Sequence, residues 1–431
     1  MPLKRELTLI EALFSGIGII VGAGIYAIIA QAAAIAGNGL WISFACAAVV
    51  AATAGLSYAE LSSMYPKAGA EYDYIKPAFG HRFAFIVAWL AIFASFVGIT
   101  TVAMSFGGYI SAIFCLSCAL GTSENPNVAN YDWLFWAAVL IIFSAIVLLT
   151  GVKKSAELAV AITTISIIGL LIVIMAGIPN AAKVDFMAIK SVGGIFSAAA
   201  LVFFAYIGFE EIVRLSEETK NPEKNIPAAV LLSIFLTSLL YILVAISVLG
   251  LIDAEELAKS QNPMAVVGGI VFGKEGHLLL SIIALFATAS TVLLIMLATS
   301  RILYGMSNEG ALPAFLKKVS KNGVPNAAVF TTAIISIAML SFASIEFVAS
   351  TVNFSIFVIF LIVNFALITL RMKLPAKNRP FKVPFSIGPV PLPTFFGIII
   401  TMLLILSIET SAVLFGAFAV AVGFILSIFY T

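Results

Sequence analysis

This chain has little charge. Asp, Glu, Lys and Arg make up 10% of its 431 residues, where a soluble domain carries about a quarter. So few charges cannot cover a water-facing surface. Histidine and cysteine are scarcer still, at two and three residues. Cys46 falls inside an apolar run. Cys115 and Cys118 form a Cys-x-x-Cys pair with no histidine or further cysteine beside it, so no metal or redox centre is expected. His81 and His277 lie far apart, and no nucleophile cluster accompanies them, which argues against an enzyme. No phosphate-binding loop is visible, so direct ATP drive is not expected. A net charge of +2 gives no reason to expect a nucleic-acid partner.

What is abundant is apolar surface: 62% of residues are hydrophobic, with a mean hydropathy of +1.15. That composition predicts an all-α polytopic membrane protein. Runs long enough to cross about 30 Å of hydrocarbon fall near 11–36, 40–65, 83–114, 132–151, 155–177 and 190–215. A second set falls near 226–251, 276–306, 326–344, 346–371, 390–408 and 410–430. Twelve spans are expected. Lys4 and Arg5 precede the first run, and no cleavable signal is visible. With the N-terminus inside, only Lys183, Lys190, Lys259 and Lys274 of the 23 lysines and arginines fall outside. This positive-inside bias predicts that both termini are cytoplasmic, with the bilayer as constant partner.

Two of the runs are interrupted in the same way, one in each half of the chain. The first reads Gly16-Ile17-Gly18-Ile19-Ile20-Val21-Gly22-Ala23-Gly24-Ile25-Tyr26; the second reads Phe203-Phe204-Ala205-Tyr206-Ile207-Gly208-Phe209. A helix broken within a bilayer frees backbone groups that lipid cannot satisfy. Such a break is tolerated where those groups line a cavity or meet a ligand. The first ten spans divide into two sets of five with opposite orientation (about 11–177 and 190–371), each opening on a break, with two extra helices at about 390–430. Paired breaks in an inverted repeat point to the substrate site of a secondary transporter built as a single transmembrane domain over 1–431. The alternative reading of the first break is tight packing, since Gly18 and Gly22 are a small-xxx-small pair.

Several motifs carry a resemblance. Val21-Gly22-Ala23-Gly24-Ile25-Tyr26 is similar to the first-helix signature of the amino acid–polyamine–organocation superfamily. Phe203 to Gly208, then Glu217-Glu218-Thr219-Lys220-Asn221-Pro222 and Ile226-Pro227, resemble its sixth helix and the following loop. Ser300-Arg301 with Asn308-Glu309-Gly310-Ala311-Leu312-Pro313, and Arg379-Pro380-Phe381-Lys382-Val383-Pro384, match later family segments in order. The resemblance implies an amino acid permease with a leucine-transporter-type fold, whose helices 1 and 6 are broken. Two features depart from the pattern. The segment Ala68-Gly69-Ala70-Glu71-Tyr72 stands where many relatives carry two adjacent glycines, and no lysine occurs in 155–177. Proton-coupled relatives carry a lysine in that helix, and Thr164 registers at its position here.

The proposed site follows from the chemistry of an amino acid, a carboxylate and an ammonium a few ångströms apart. A half-helix beginning after Gly24 aims unpaired amides and a positive dipole end at the gap, so Gly22, Ala23 and Gly24 are candidate carboxylate ligands. Freed carbonyls at Phe204, Ala205 and Ile207, beside Gly208, are candidates for the ammonium. Phe204 leads Phe203, Tyr206 and Phe209 as an aromatic gate. Glu210 and Glu211 open the inner half of helix 6, and Arg214 lies four and three residues on, suited to an intrahelical pair. They read as capping or inner-gate residues, or alternatively as partners for a cationic side chain or carriers of a proton. Glu60 and Glu157 read as loop anchors. A sodium site would draw on the Gly18 and Val21 carbonyls and on hydroxyls at Thr164, Thr288, Ser290 and Thr291, although such hydroxyls commonly bond back to their own helix. Asn221-Pro222 is expected to start a short helix in the loop. The expected activity is amino acid transport by alternating access, for neutral or cationic substrates, with no cofactor and with H+ or Na+ as coupling ion. The alternatives are a polyamine or organic-cation carrier, or an amino-acid sensor that does not transport. The sequence leaves the oligomeric state open.

Overall fold

The computed structural model describes residues 7–67, 69–114, 129–150, 152–217, 219–260, 262–308, 310–320, 324–341 and 345–430. Cys115 and Cys118, and the side chain of Glu157, lie outside the described residues. The helices are α1 (Leu9–Ile20), α2 (Ala23–Ala36), α3 (Leu40–Met64), α4 (Glu71–Phe79), α5 (His81–Phe114), α6 (Ala129–Thr150), α7 (Val152–Ala181) and α8 (Val192–Val202). They continue as α9 (Phe209–Arg214), α10 (Pro222–Leu251), α11 (Ala254–Leu257), α12 (Pro263–Asn308), α13 (Asn326–Met339), α14 (Ile345–Lys373), α15 (Leu392–Leu406) and α16 (Thr410–Tyr430). One small hairpin, β1 (Ser386–Ile387) with β2 (Val390–Pro391), stands between α14 and α15.

Among the described residues eight helical spans are long and apolar enough to cross a membrane, one of them the run Val192–Glu217 that holds α8 and α9, and a ninth crossing arises if α1 and α2 are taken as one bent span. The chain is therefore an all-α, multi-pass membrane protein. Local sequence explains the ends. Thr8 caps α1 through a capping box, its amide donating to Glu11 Oε2 at 2.7 Å. Ser191 caps α8 by accepting the Gly194 amide at 2.9 Å. Pro222 does open a helix after Asn221, but that helix runs unbroken through Pro227 to Leu251 instead of forming a separate short piece. Pro222 suits the first helical position, where its missing amide would have no intrahelical partner anyway.

Association within lipid relies on close packing more than on expulsion of water, and glycines mark the close approaches. A Cβ on Gly55 of α3 would lie 2.3 Å from Ile234 Cδ1 of α10, and one on Gly177 of α7 would lie 2.2 Å from the Ser247 carbonyl oxygen. The interrupted pairs α1–α2 and α8–α9 occupy the middle of the bundle, packed against α3, α10 and α12. At the periphery, α15 and α16 expose Phe395, Phe396, Leu406, Leu414 and Phe418, as their unbroken apolar sequence predicts.

The end of the bundle reached by α3 and α14 is closed by a buried ionic knot. Glu60, wholly buried, accepts from Arg371 Nε at 2.8 Å and from the Val383 amide at 2.8 Å, and Arg379 Nε lies 3.1 Å away. The other Arg371 nitrogens reach Ser386 Oγ and the Val383 carbonyl. Arg379 also donates to the Leu370 and Leu374 carbonyls, capping the end of α14. Glu60 is thus an anchor for the segment between α14 and α15.

Candidate functional site

The first break lies where α1 stops at Ile20. Val21 (φ −77°, ψ 57°) and Gly22 (φ −102°, ψ −141°) leave the helical region, and the axis bends by 44°. The second half begins at Ala23, two residues earlier than the start after Gly24 that the sequence suggests, so the first-turn amides belong to Ala23, Gly24 and Ile25. Helical geometry leaves these without intrahelical partners. A Cβ on Gly22 would lie 2.1 Å from Thr291 Oγ1 of α12, so the glycine both relaxes the chain and admits the threonine.

In the second break α8 gives way to a 3-10 turn at Phe203–Tyr206, then to extended Ile207 and to Gly208 at φ +126°. Only glycine adopts that φ without strain, and a Cβ there would also press on Ile19 Cγ2 at 2.7 Å. The breaks touch: the Cβ position of Gly24 is 2.4 Å from Ala205 Cα. Freed carbonyls are partly taken by side chains that sequence reasoning missed. The Tyr241 hydroxyl lies 2.7 Å from the Ile20 carbonyl oxygen and 3.1 Å from that of Ala205. Asn353 Nδ2 donates to the carbonyls of Ala200 and Leu201 at 2.7 and 3.0 Å. The Ala205 carbonyl is therefore already engaged, whatever else it accepts.

Between the breaks lies a cavity of about 70 Å³, room for several waters at roughly 10–15 Å³ each. Gly22, Gly24, Phe204, Ile207, Gly208, Glu210, Glu211, Arg214 and Thr291 line it together, which brings most of the sequence-predicted residues to one place. Its apolar wall comes from Ala94, Gly98 and Val102 of α5, Ile295 of α12, and Val352 and Ile356 of α14. Of the four aromatic candidates, Phe204 alone faces the cavity. Phe203 packs on Phe357 at 4.7 Å, Tyr206 on Tyr241 at 5.3 Å and Phe209 on Phe360 at 5.3 Å, all within the core.

The ion-pair reading holds for Glu211, which takes Arg214 Nη1 on both oxygens. Glu210 instead turns back to its own break, accepting the Gly208 amide at 3.0 Å. Arg214 Nη2 lies 3.7 Å from Glu71 of α4, and Tyr58 of α3 donates to the other Glu71 oxygen at 3.0 Å. Glu71 and Tyr58 thus complete the charged end of the cavity. Glu71 stands in a segment that the sequence reads as a loop, and its partner Arg214 is on α9.

The hydroxyl set needs one correction of register. Thr163, buried, faces Gly18, with Oγ1 3.4 Å from its carbonyl oxygen, whereas Thr164 is exposed. One residue turns a helix by about 100°, enough to exchange an inward for an outward position. Thr288, Ser290 and Thr291 each bond back to α12 carbonyls at 2.8–3.0 Å, and of these Thr291 lines the cavity. Substituting Thr163→Val is expected to lower transport about three- to tenfold, the range set by the loss of one interhelical hydrogen bond in a membrane. Thr164→Val should leave uptake unchanged. Initial rates in reconstituted vesicles decide, and equal losses would contradict the register.

Long apolar helices gathered around two broken ones, with a small cavity where the breaks touch, define a multi-pass membrane protein with an internal site. The chain matches the amino acid permease family model over residues 7–431 and belongs to that family. It is 30% identical over 391 residues to the branched-chain amino acid permease BcaP of Bacillus subtilis, covering 89% of this chain and 84% of that one. The methylthioribose transporter of the same organism is 29% identical over 392 residues, covering 89% and 85%. The mitochondrial cationic amino acid transporter 3 of Arabidopsis thaliana is 28% identical over 398 residues, covering 88% and 64%. The protein is a transporter and not an enzyme.

Proposed function

We propose that the protein is a secondary carrier that moves amino acids across the cell membrane by alternating access around the two breaks. The observation that carries this reading is the meeting of Gly24 with Ala205 at one cavity lined from both broken helices. In this scheme the α2 amides at Ala23 and Gly24 hold the substrate carboxylate and carbonyls of 204–207 hold the ammonium. Phe204 and the Glu71–Arg214–Glu211 cluster close the two ends. The eight long helices, the bent pair and the shorter apolar helices Trp133–Leu149, Asn326–Met339 and Leu392–Leu406 supply twelve crossings. Ten of these make a five-plus-five inverted repeat, with both termini cytoplasmic. The apolar wall supports a neutral aliphatic side chain. Three carboxylates around Arg214 leave a cationic one as the other class. The coupling ion is H+ or Na+.

The methylthioribose transporter favours one rival reading, since methylthioribose has no carboxylate. Counterflow in proteoliposomes separates the two. Leucine or lysine is expected to exchange, while leucinamide and putrescine fail to compete. Exchange of the carboxylate-free compounds at equal rates would overturn the carboxylate scheme, and specific binding without counterflow would turn the carrier into a sensor.

A further inference from the structure

The ionic knot at Glu60 has a consequence at the surface. Val383 is held down by the Glu60 carboxylate and is 1% exposed, yet two residues later Phe385 is 78% exposed and Ile387 70%. Phe385 also sits at φ +55°, a left-handed backbone that a bulky residue adopts only where its surroundings impose it. The imposition is visible. Arg371 donates to Ser386 Oγ at 2.6 Å, β1 pairs with β2, and the Leu392 amide donates to the Phe385 carbonyl at 2.8 Å. A rigid hairpin thus carries two large apolar side chains on its outside, where water would make both unfavourable.

We infer that this hairpin tip is a membrane anchor: Phe385 and Ile387 insert into the lipid leaflet beside the start of α15, at the boundary of head groups and acyl chains. Depth supports it. Phe385 is one hydrogen bond from Leu392, the first residue of α15, an apolar helix that leaves Phe395 and Phe396 exposed on its outer surface. At 1.5 Å per residue these rings lie only about 5 Å further along the axis, within the interfacial layer of about 5–8 Å. The tip therefore continues the lipid-facing surface of α15. Exposed Lys382 stands at the foot of the hairpin, where it meets anionic head groups, the arrangement of interfacial segments with apolar tips and basic flanks. The buried charges of Glu60, Arg371 and Arg379 then serve to aim the tip. This inference does not depend on what is transported.

The test uses the full chain with Cys46, Cys115 and Cys118 replaced by alanine, in vesicles of phosphatidylcholine and phosphatidylglycerol. A nitrobenzoxadiazole label is placed at Phe385→Cys or, separately, Ile387→Cys, with Asn378→Cys, exposed in the same segment, as reference. Labels at 385 and 387 are expected to emit at shorter wavelength than at 378. Lipids with a nitroxide near the head group should quench them several-fold more, and aqueous iodide several-fold less. Responses equal to those at 378 overturn the inference. So does quenching that grows with protein-to-lipid ratio and not with nitroxide lipid, which would assign the tip to a second copy of the chain. Each position gives the answer alone, so failure of one variant to fold leaves the other decisive.

Discussion

Replacing Glu60 by alanine is expected to cost about 3–5 kcal/mol of stability, the scale for removing one partner of a buried ion pair. The reason is what remains. Arg371 is 6% exposed, and both it and Arg379 approach the Glu60 carboxylate; without it two guanidinium groups face each other in a closed site with no counter-charge. The Val383 amide loses its acceptor as well, adding the penalty of an unsatisfied buried donor. Glu60→Gln should fall between, because an amide oxygen keeps one hydrogen bond but not the charge. The paired change Glu60→Met with Arg371→Met should cost less than the sum of the two single changes, since it withdraws both members of the pair. Thermal unfolding in detergent measures all of these variants. A Glu60→Ala protein as stable as the parent would show that water reaches the knot and that the pairing adds no net stability.

The two breaks are legible in the sequence because they rest on local chemistry: glycine at 22, 24 and 208 within runs otherwise dense in Ile, Val and Phe. The Glu211–Arg214 pair is legible for the same reason, being three residues apart on one helix. What escapes is whatever depends on distant chain. Tyr241 lies 221 residues from Ile20, and Asn353 lies 153 from Ala200, so nothing local announces that they occupy freed carbonyls. Glu71 opens α4 in a segment that reads as a loop, and its arginine is on α9. The choice between Thr163 and Thr164 fails differently. Both are small hydroxyl residues in an evenly apolar helix, so periodicity gives no phase, and only packing against Gly18 selects the inward one. Glu60 is a middle case, since anchoring is readable from its place at a helix end but its two arginines, more than 300 residues away, are not.

Adding even a methyl group at Gly24 is expected to slow transport of every substrate, carboxylate-bearing or not. A Cβ there meets Ala205 Cα at 2.4 Å, its Cβ at 3.0 Å and its nitrogen at 3.1 Å. Two of these atoms are backbone and cannot swing aside, so the breaks must separate. Overpacking of this kind typically costs about 1–3 kcal/mol, which is roughly a five- to 150-fold loss if charged wholly to the working geometry. Gly24→Ala should sit near the low end and Gly24→Val beyond the high end in counterflow rate. Ala205→Gly should restore only part of the loss, because the main chain at 205 still blocks the added methyl. Gly98 supplies the contrast on the same cavity: nothing lies within 4 Å of its Cβ position. Gly98→Ala should therefore fold and transport small substrates normally, while Gly98→Leu excludes large side chains selectively. Loss at Gly24 that spared a carboxylate-free ligand would mean that the breaks move apart freely, and that the amides of α2, not the close approach to Ala205, set the requirement for glycine.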